Sequence, residues 1–200
     1  MYIILDNGHG WDTPGKCSPI WKDGTQLKEW AFNRKIVKEI HIRLNMLGIE
    51  NHILVPEDND ISLRERVKRV NEICRNRGDV ILVSVHVNAG VKPNQGTGWS
   101  VWTSKGRTKS DHYATLFYNS ACQYLKGWKI RTDFSDGDSD WEEQFYILKN
   151  THCPAVLTEN LFMDNEKDCK FLLSPEGIEA ITALHVDTII TINDEFNKNI

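Results

Sequence analysis

The sequence predicts an α/β fold, in which a twisted, mostly parallel sheet of about six strands carries helices on both faces. Short apolar strand patterns alternate along the chain with amphipathic helix patterns, which is typical of β-α-β units. The segment Asp79–Val87 is apolar almost throughout, as expected of a central strand that is buried on both faces. Turn formers and helix caps separate these patterns and set the expected limits of each element.

The first strand and the first helix are predicted from two different apolar periods. Tyr2–Leu5 is a run of apolar residues that we expect to form a buried strand, ended by the turn formers at residues 6–8. Residues 27–47 repeat apolar side chains every three or four positions, which predicts a helix with one buried face, and Gly48 is its expected stop. The apolar positions are Phe32, Ile36, Ile40, Leu44 and Leu47.

A second strand and a second helix are expected next. Ile49–Val55 has a strand pattern that ends at Pro56. Ser62 is a candidate N-cap, and Glu65 three residues later completes a capping-box signature. The helix that starts there should end at Gly78, just before the central strand.

The second half of the chain continues the same alternation. Gly98–Thr103 is predicted to be a strand and Ser110–Tyr124 an amphipathic helix. Cys153–Glu159 reads as another buried strand. A last helix is expected from the N-cap Ser174 to about Ile192.

Composition limits the classes of partner. With 200 residues, of which 40% are hydrophobic and 26% charged, residues 1–200 are expected to form a single domain. The formal net charge of −4 argues against nucleic acid, because phosphate binding needs a basic surface. An apolar run of about 18 residues is lacking, so we expect no membrane insertion. The first strand begins at residue 2, which leaves no room for a signal peptide, and we expect synthesis in the cytoplasm.

Cysteine usage does not indicate a disulfide framework. The chain has five cysteines, an odd number, and none forms a CxxC pair. Cys74, Cys122 and Cys153 lie in apolar periodic segments, so we expect them to be small buried side chains.

Three chemically active side chains follow or end predicted strands. His9 comes after the first strand between two glycines, His86 lies near the end of the central strand, and Glu159 ends the last predicted strand. Ligands in open α/β sheets bind outside the carboxyl ends of the strands. The three side chains are therefore expected to meet at one edge of the sheet. Taken singly, His9 also fits a surface histidine in a Gly-rich turn, His86 a satisfied core histidine and Glu159 a buried hydrogen bond.

A fourth candidate comes from helical geometry. Glu29 precedes Phe32 by three residues and Ile36 by seven, so its side chain falls on the face that packs against the sheet. A carboxylate that interacts with the helix dipole is the alternative interpretation.

Two histidines and one carboxylate are the protein ligands of a catalytic zinc site with an open fourth position. A second carboxylate, Glu159, is then left to act as a general base and acid, so the four residues indicate metal-assisted hydrolysis. The chain has no HExxH sequence, which excludes the thermolysin type of site.

Four ordered motifs resemble those of one enzyme family. They are ILDNGHGWDTPGK, LKEW, SVHVNA followed by GTGWSVW, and YILKNTHCPAVLTENLFMDNEKDCKFLL. Together they resemble the zinc-dependent N-acetylmuramoyl-L-alanine amidases of the Amidase_3 family, over nearly the whole chain.

The resemblance implies one zinc ion per chain, held by His9, Glu29 and His86, with Glu159 as the catalytic glutamate. It further implies that the substrate is peptidoglycan and that the bond cleaved joins the lactyl group of N-acetylmuramic acid to L-alanine. A zinc peptidase or deacetylase on the same scaffold is one alternative, and a wall-binding module without catalysis is another. We expect no separate wall-binding domain within residues 1–200.

Two departures from the family pattern are visible in the sequence. Asn160 stands where members often carry glycine after the catalytic glutamate. The inhibitory helix that covers the cleft of some cell-division amidases is not evident between His86 and Glu159. The chain is in this respect more similar to phage lysins and sporulation amidases, and release as a phage or prophage lysin or export as a mature enzyme would bring it to the wall.

Weaker signals suggest substrate contacts. Asn88 and Trp99 are candidates for substrate binding at the rim, and Arg131 for a stem-peptide carboxylate. Asp136–Asp140 resembles a calcium loop but lacks the glycine at the sixth place, so we expect a solvated loop instead.

Overall fold

The computed structural model describes residues 1–198, in which six strands form one sheet. The strands are β1 (Tyr2–Asn7), β2 (Asn51–Ile53), β3 (Val80–Asn88), β4 (Ser100–Thr103), β5 (Trp141–Glu142) and β6 (Ala155–Phe162). The helices are α1 (Glu29–Met46), α2 (Leu63–Asn76), α3 (Lys109–Tyr124), α4 (Tyr146–Lys149), α5 (Glu166–Leu173) and α6 (Pro175–Lys198). The predicted α/β fold is confirmed.

The sheet has the strand order β2-β1-β3-β6-β4-β5. Pairing is parallel from β2 through β6, and β4 then runs antiparallel to β6 while β5 runs parallel to β4. The strands β1, β3 and β6 are adjacent, so their carboxyl ends lie side by side in the middle of the sheet.

Alternate residues of the central strands pack against opposite layers, as the period of two requires. Ile81, Val83 and Val85 belong to a cluster with the apolar faces of α1, α3 and α6. Leu82 belongs to a second cluster with residues of α2 and α4, such as Val67. The sheet is therefore covered on both faces, which explains why β3 is mostly apolar.

One predicted helix start is confirmed, and two predicted limits need correction. The expected strand Ile49–Val55 is shorter in the structure, where β2 covers Asn51–Ile53 and backbone hydrogen bonds to β1 run from the Glu50 carbonyl to the Leu54 N–H. Ser62 caps α2 through a hydrogen bond from the Glu65 N–H (3.3 Å). The last helix continues past Ile192 to Lys198.

The cysteines are less buried than the sequence predicts. Cys122 is exposed, and Cys74 and Cys153 are partly exposed. Cys74 and Cys122 lie in the last turns of their helices, α2 and α3. Cys169 is buried. Within residues 1–198, no helix is long and apolar enough to span a membrane.

Candidate active site

The four predicted residues meet at the carboxyl ends of β1, β3 and β6. His86 and Glu159 are direct neighbours in the β3–β6 register, and the ladder shifts register between His86 and Asn88. Glu29 is the first residue of α1, and His9 follows β1. One nitrogen or oxygen atom from each of His9, Glu29 and His86 can be chosen so that all three lie within 4.8 Å of one another.

The two glycines beside His9 are required by close contacts. A Cβ atom on Gly8 would lie 2.1 Å from Cε1 of His86, and one on Gly10 would lie 2.0 Å from the backbone nitrogen of Asp60. His9 itself has a φ of 66°, in the left-handed region that residues other than glycine rarely adopt. The glycines therefore let the chain bring one imidazole directly beside the other.

Two arginines stabilise this unusual backbone. Arg34 donates to the His9 carbonyl oxygen (2.8 Å), and Arg66 donates to the same oxygen (3.4 Å). Neither arginine is among the residues that the sequence predicts for the site. A signal existed for Arg66, since it precedes Val70 by four residues and so falls on the apolar face of α2.

Glu29 is held by several donors through only one of its two oxygens. Its Oε1 accepts from His86 Nδ1 (3.1 Å) and from the Val87 N–H (3.1 Å), and it lies 3.4 Å from His9 Nε2. Burial alone would raise the pKa of Glu29, but the hydrogen bonds from His86 and His9 outweigh it and hold that pKa well below its usual range. The other oxygen, Oε2, is buried and has no hydrogen-bond partner.

The pKa of Glu159 is shifted in the opposite direction from that of Glu29. Its pKa is raised to about 7, because burial and the nearby Glu29 carboxylate, which both raise it, outweigh the lowering effect of His86 and Lys16. Its Oε2 is also buried without a hydrogen-bond partner. A carboxyl group that is near half-protonated at neutral pH can both accept and donate a proton.

The distances from Glu29 to the two imidazoles of His9 and His86 suit zinc ligands. Ligand atoms about 2.0–2.1 Å from one zinc ion are about 3.3 Å apart, close to the 3.1 and 3.4 Å that separate Glu29 Oε1 from the two imidazole nitrogens. The unpartnered Glu29 Oε2 adds a second lone-pair donor, and imidazole with carboxylate is a donor set that zinc accepts.

A cavity of about 250 Å³ opens onto the two histidines. Its wall includes His9 and His86 together with the buried pair Asp6 and Arg66, and Ile61 and Leu63 supply apolar surface. A substrate group can therefore approach the imidazoles from the side of α2.

Comparison with known proteins identifies the family. The model of the family Amidase_3, described as N-acetylmuramoyl-L-alanine amidase, matches residues 3–191. The chain belongs to the Amidase_3 family. This result confirms the resemblance carried by the sequence motifs.

Relatives of this Amidase_3 chain include lytic and sporulation proteins. It is 28% identical over 193 residues to the endolysin of Bacillus phage SPP1, covering 95% of this chain and 65% of the endolysin. It is 25% identical over 187 residues to the sporulation-specific N-acetylmuramoyl-L-alanine amidase of Bacillus subtilis (strain 168), covering 92% and 65%. The chain thus spans slightly less than two thirds of the length of these two relatives.

A solved structure shares the fold. The N-acetylmuramoyl-L-alanine amidase of Clostridium difficile 630 superposes with a TM-score of 0.82 at 22% identity, over 96% of each chain. At this identity the comparison supports the Amidase_3 fold and leaves individual residue roles to the geometry.

Asn160 has a specific partner in this Amidase_3 chain. Its side-chain oxygen accepts from Trp99 Nε1 (3.0 Å), and its amide donates to the His86 carbonyl (2.9 Å). Trp99 has an exposed fraction of 0%, so the expectation that it stacks on substrate is wrong for this conformation. Its indole instead fixes Asn160 between the strands that carry His86 and Glu159.

Arg131 and Asn88, the other predicted substrate residues, lie near the carboxyl ends of β6 and β3. The Arg131 guanidinium lies over the Phe162 ring (5.2 Å from Cζ to the centroid) and over Trp141 (5.6 Å). Asn88 is the last residue of β3 and is half-buried.

The Asp136–Asp140 loop differs from its prediction. Asp136 and Gly137 are exposed as expected, but Ser139 and Asp140 are buried. The burial follows from a hydrogen bond that Thr103 of β4 donates to Asp140 (2.6 Å), which pulls the end of the loop against the sheet.

Proposed function

We propose that residues 1–200 form a catalytic unit that hydrolyses the amide bond between N-acetylmuramic acid and L-alanine in peptidoglycan, using one zinc ion per chain. The relatives named as amidases and the Amidase_3 family match support this bond. Action on the cell wall, after release as a lysin or after export, is part of the proposal.

The observation that carries the proposal is the incomplete coordination of Glu29. A buried carboxylate oxygen without a partner costs about 1–3 kcal/mol or more, and Glu29 Oε2 is in that state while Oε1 of the same carboxylate contacts both imidazoles. A cation held by His9, Glu29 and His86 would compensate the charge of this carboxylate. Zinc, when bound there, supplies a Lewis acid that polarises the scissile carbonyl and acidifies water.

The chain itself supplies the proton transfers. Glu159 lies beside His86 across the β3–β6 ladder, and its pKa of about 7 suits both directions of transfer. As a carboxylate it takes a proton from the attacking water. As a carboxylic acid it then gives that proton to the leaving L-alanine nitrogen, so that an amine departs and a lactyl carboxylate remains.

Arg131 and Asn88 are proposed to orient the substrate. Arg131 is anchored by its backbone N–H to the Trp99 carbonyl (2.8 Å) and by contact with the Phe162 ring. Its fork of donors suits a stem-peptide carboxylate. Asn88 lies two residues beyond His86 and offers an amide to the peptide backbone of the substrate.

Digestion of purified sacculi tests the proposal. We expect mass spectrometry to find intact stem peptides with a new L-alanine amino terminus, and elemental analysis to find about one zinc per chain. Removal of zinc by a chelator should abolish the release of stem peptides, and added zinc should restore it. A sample that was never exposed to the chelator is the matched control.

Other products would contradict the proposal in identifiable ways. New amino termini within the stem peptide would indicate a peptidase, and free acetate would indicate a deacetylase. Tight binding to sacculi without any released product would indicate a binding module.

A further inference from the structure

Two cysteines that lie far apart in the sequence meet at the amino-terminal edge of the sheet. Cys74 belongs to α2, and Cys153 lies in the segment that leads into β6. Both side chains pack against the cluster that contains Leu82, and the two thiols are close enough for each to influence the pKa of the other. Contact between two thiols is the arrangement from which a disulfide forms with little backbone movement.

Both thiols border the same opening. A cavity of about 430 Å³ is lined by Cys74 and Cys153 together with Arg75, Gly78 and His152. Asp79 and Val80, at the start of β3, also line it, so this cavity is at the end of β3 opposite His86. A small oxidant can therefore reach the pair without entering the candidate active site.

We propose that Cys74 and Cys153 form a redox modification site, which a small-molecule disulfide converts into an intramolecular disulfide. One protein thiol loses its proton and attacks the small disulfide, releasing one small thiol and leaving a mixed disulfide. The second protein thiol loses its proton and attacks the protein sulfur of that mixed disulfide, releasing the second small thiol. The two protein thiols are oxidised by two electrons, and the small disulfide is reduced to two thiols.

The order of the two attacks follows from the surroundings of each sulfur. Burial raises the pKa of the Cys74 thiol and raises that of the more enclosed Cys153 thiol further. Cys74 therefore provides the thiolate more readily and attacks first, while Cys153 resolves the mixed disulfide.

The new bond would join α2 to the entrance of β6. It would close a long loop of the unfolded chain, which stabilises the folded state mainly by restricting the unfolded one. We expect the thermal midpoint to rise by about 5–15 °C on oxidation. Such a bond would persist outside a cell, where the surroundings are oxidising.

Incubation of the folded, full chain with oxidised glutathione tests the proposal. After quenching, the intact mass should be lower by two hydrogen atoms, and peptide mapping should find Cys74 linked to Cys153. The variants Cys74→Ser and Cys153→Ser should each lose this product; Cys153→Ser should carry glutathione on Cys74, whereas Cys153 should stay reduced in Cys74→Ser. Cys17→Ser and Cys122→Ser, which change exposed cysteines, are the matched controls and should retain the link.

Two results would overturn the proposal. One is a natural chain in which both Cys74 and Cys153 stay reduced under conditions that modify Cys17 or Cys122. The other is an unchanged yield of the lighter product in Cys74→Ser, since the link would then involve other residues. Peptide mapping of the natural chain does not depend on the folding of any variant.

Discussion

Asp6 and Glu29 are both buried acids near the carboxyl ends of the central strands, yet their surroundings differ. Asp6 uses both oxygens, since Oδ1 accepts from Arg66 (2.6 Å) and Oδ2 accepts from Ser84 (2.6 Å). Glu29 gathers its donors on Oε1 and leaves Oε2 without a partner. Glu159, across the ladder from His86, likewise keeps one unpartnered oxygen.

The difference separates a structural acid from candidate functional acids. A buried carboxylate is stable only when charges and hydrogen bonds compensate for its lost hydration. The chain provides that compensation for Asp6 from its own residues. It leaves Glu29 and Glu159 incomplete, next to His86, whose imidazole lines the cavity.

Replacement of Glu159 should affect turnover and leave metal binding unchanged. Glu159→Gln keeps the shape of the side chain but cannot carry the proton, so we expect hydrolysis of sacculi to fall by about 10²–10⁴-fold. Zinc content should stay near the value for the natural chain, because the proposed ligands are His9, Glu29 and His86. Turbidity loss of sacculi and elemental analysis measure the two quantities.

An exposed acid serves as the control for that experiment. Glu143→Gln changes a solvent-exposed carboxylate and should leave both quantities as they are. If Glu159→Gln hydrolysed sacculi as fast as the natural chain, Glu159 would not take part in the reaction. If the variant lost zinc, Glu159 would be a metal ligand instead.

Replacement of Arg66 should affect stability most. Arg66→Met leaves Asp6 as a buried charge without its cation, and breaking a buried pair in this way costs about 3–5 kcal/mol in the free energy of unfolding. Urea denaturation measures the loss. The double variant Asp6→Asn/Arg66→Met removes the charge as well and should recover part of it.

Arg43 provides a matched surface pair. Arg43 donates to both oxygens of the exposed Glu179 (2.5 and 2.8 Å), and Arg43→Met should cost less than about 1 kcal/mol because exposed pairs are screened by water. Equal losses in the two variants would mean that burial does not distinguish the two ion pairs.

Local sequence patterns were sufficient for the main elements. The central strands and α1, α2, α3 and α6 follow from apolar periods and caps, which act over a few residues. One topological rule predicted that His9, His86 and Glu159 meet, because parallel strands place their carboxyl ends at one edge of the sheet. Glu29 was predicted from its position on the buried face of α1. The incomplete hydrogen bonding of Glu29, by contrast, depends on His9 and His86, which no local pattern relates to it.

Elements defined by tertiary contacts were missed. The strand β5 has only two residues and exists through its pairing with β4, and the antiparallel direction of β4 has no local signature. The burial of Trp99 depends on Asn160, which lies far along the chain. The helix α5 did carry a signal, since Asn165 accepts from the N–H groups of Lys167 and Asp168 as an N-cap should.

His185 is a buried imidazole whose two ring nitrogens both have hydrogen-bond partners within the chain, as the two oxygens of Asp6 do. Its ring nitrogens contact the Ile181 carbonyl oxygen (2.7 Å) and the Thr158 hydroxyl (2.9 Å), and burial lowers its pKa from 6.5 to about 4. Between those pH values the unfolded chain binds a proton that the folded chain does not. Stability should therefore fall as the pH drops from 6.5 to 4, by roughly 3 kcal/mol in total.

Unfolding free energies at pH 7 and pH 4.5 test this assignment. His185→Gln should have a smaller drop between the two pH values than the natural chain, whatever its stability at pH 7. His112→Gln changes a solvent-exposed histidine and should keep most of the natural drop. An equal drop in His185→Gln would assign the acid sensitivity to other groups.

Asn160→Gly should affect stability less than Arg66→Met, because the two hydrogen bonds of Asn160 are neutral. Asn160→Gly leaves the buried Trp99 N–H without an acceptor and adds backbone freedom, so we expect a loss of about 2 kcal/mol in the free energy of unfolding. In a Trp99→Phe background the N–H is already absent, and the same change should cost about 1 kcal/mol less. Urea denaturation of the four chains measures this coupling. A coupling of zero would show that Asn160 acts through the His86 carbonyl alone, and that the Trp99 contact does not help to hold β3 against β6 at the site.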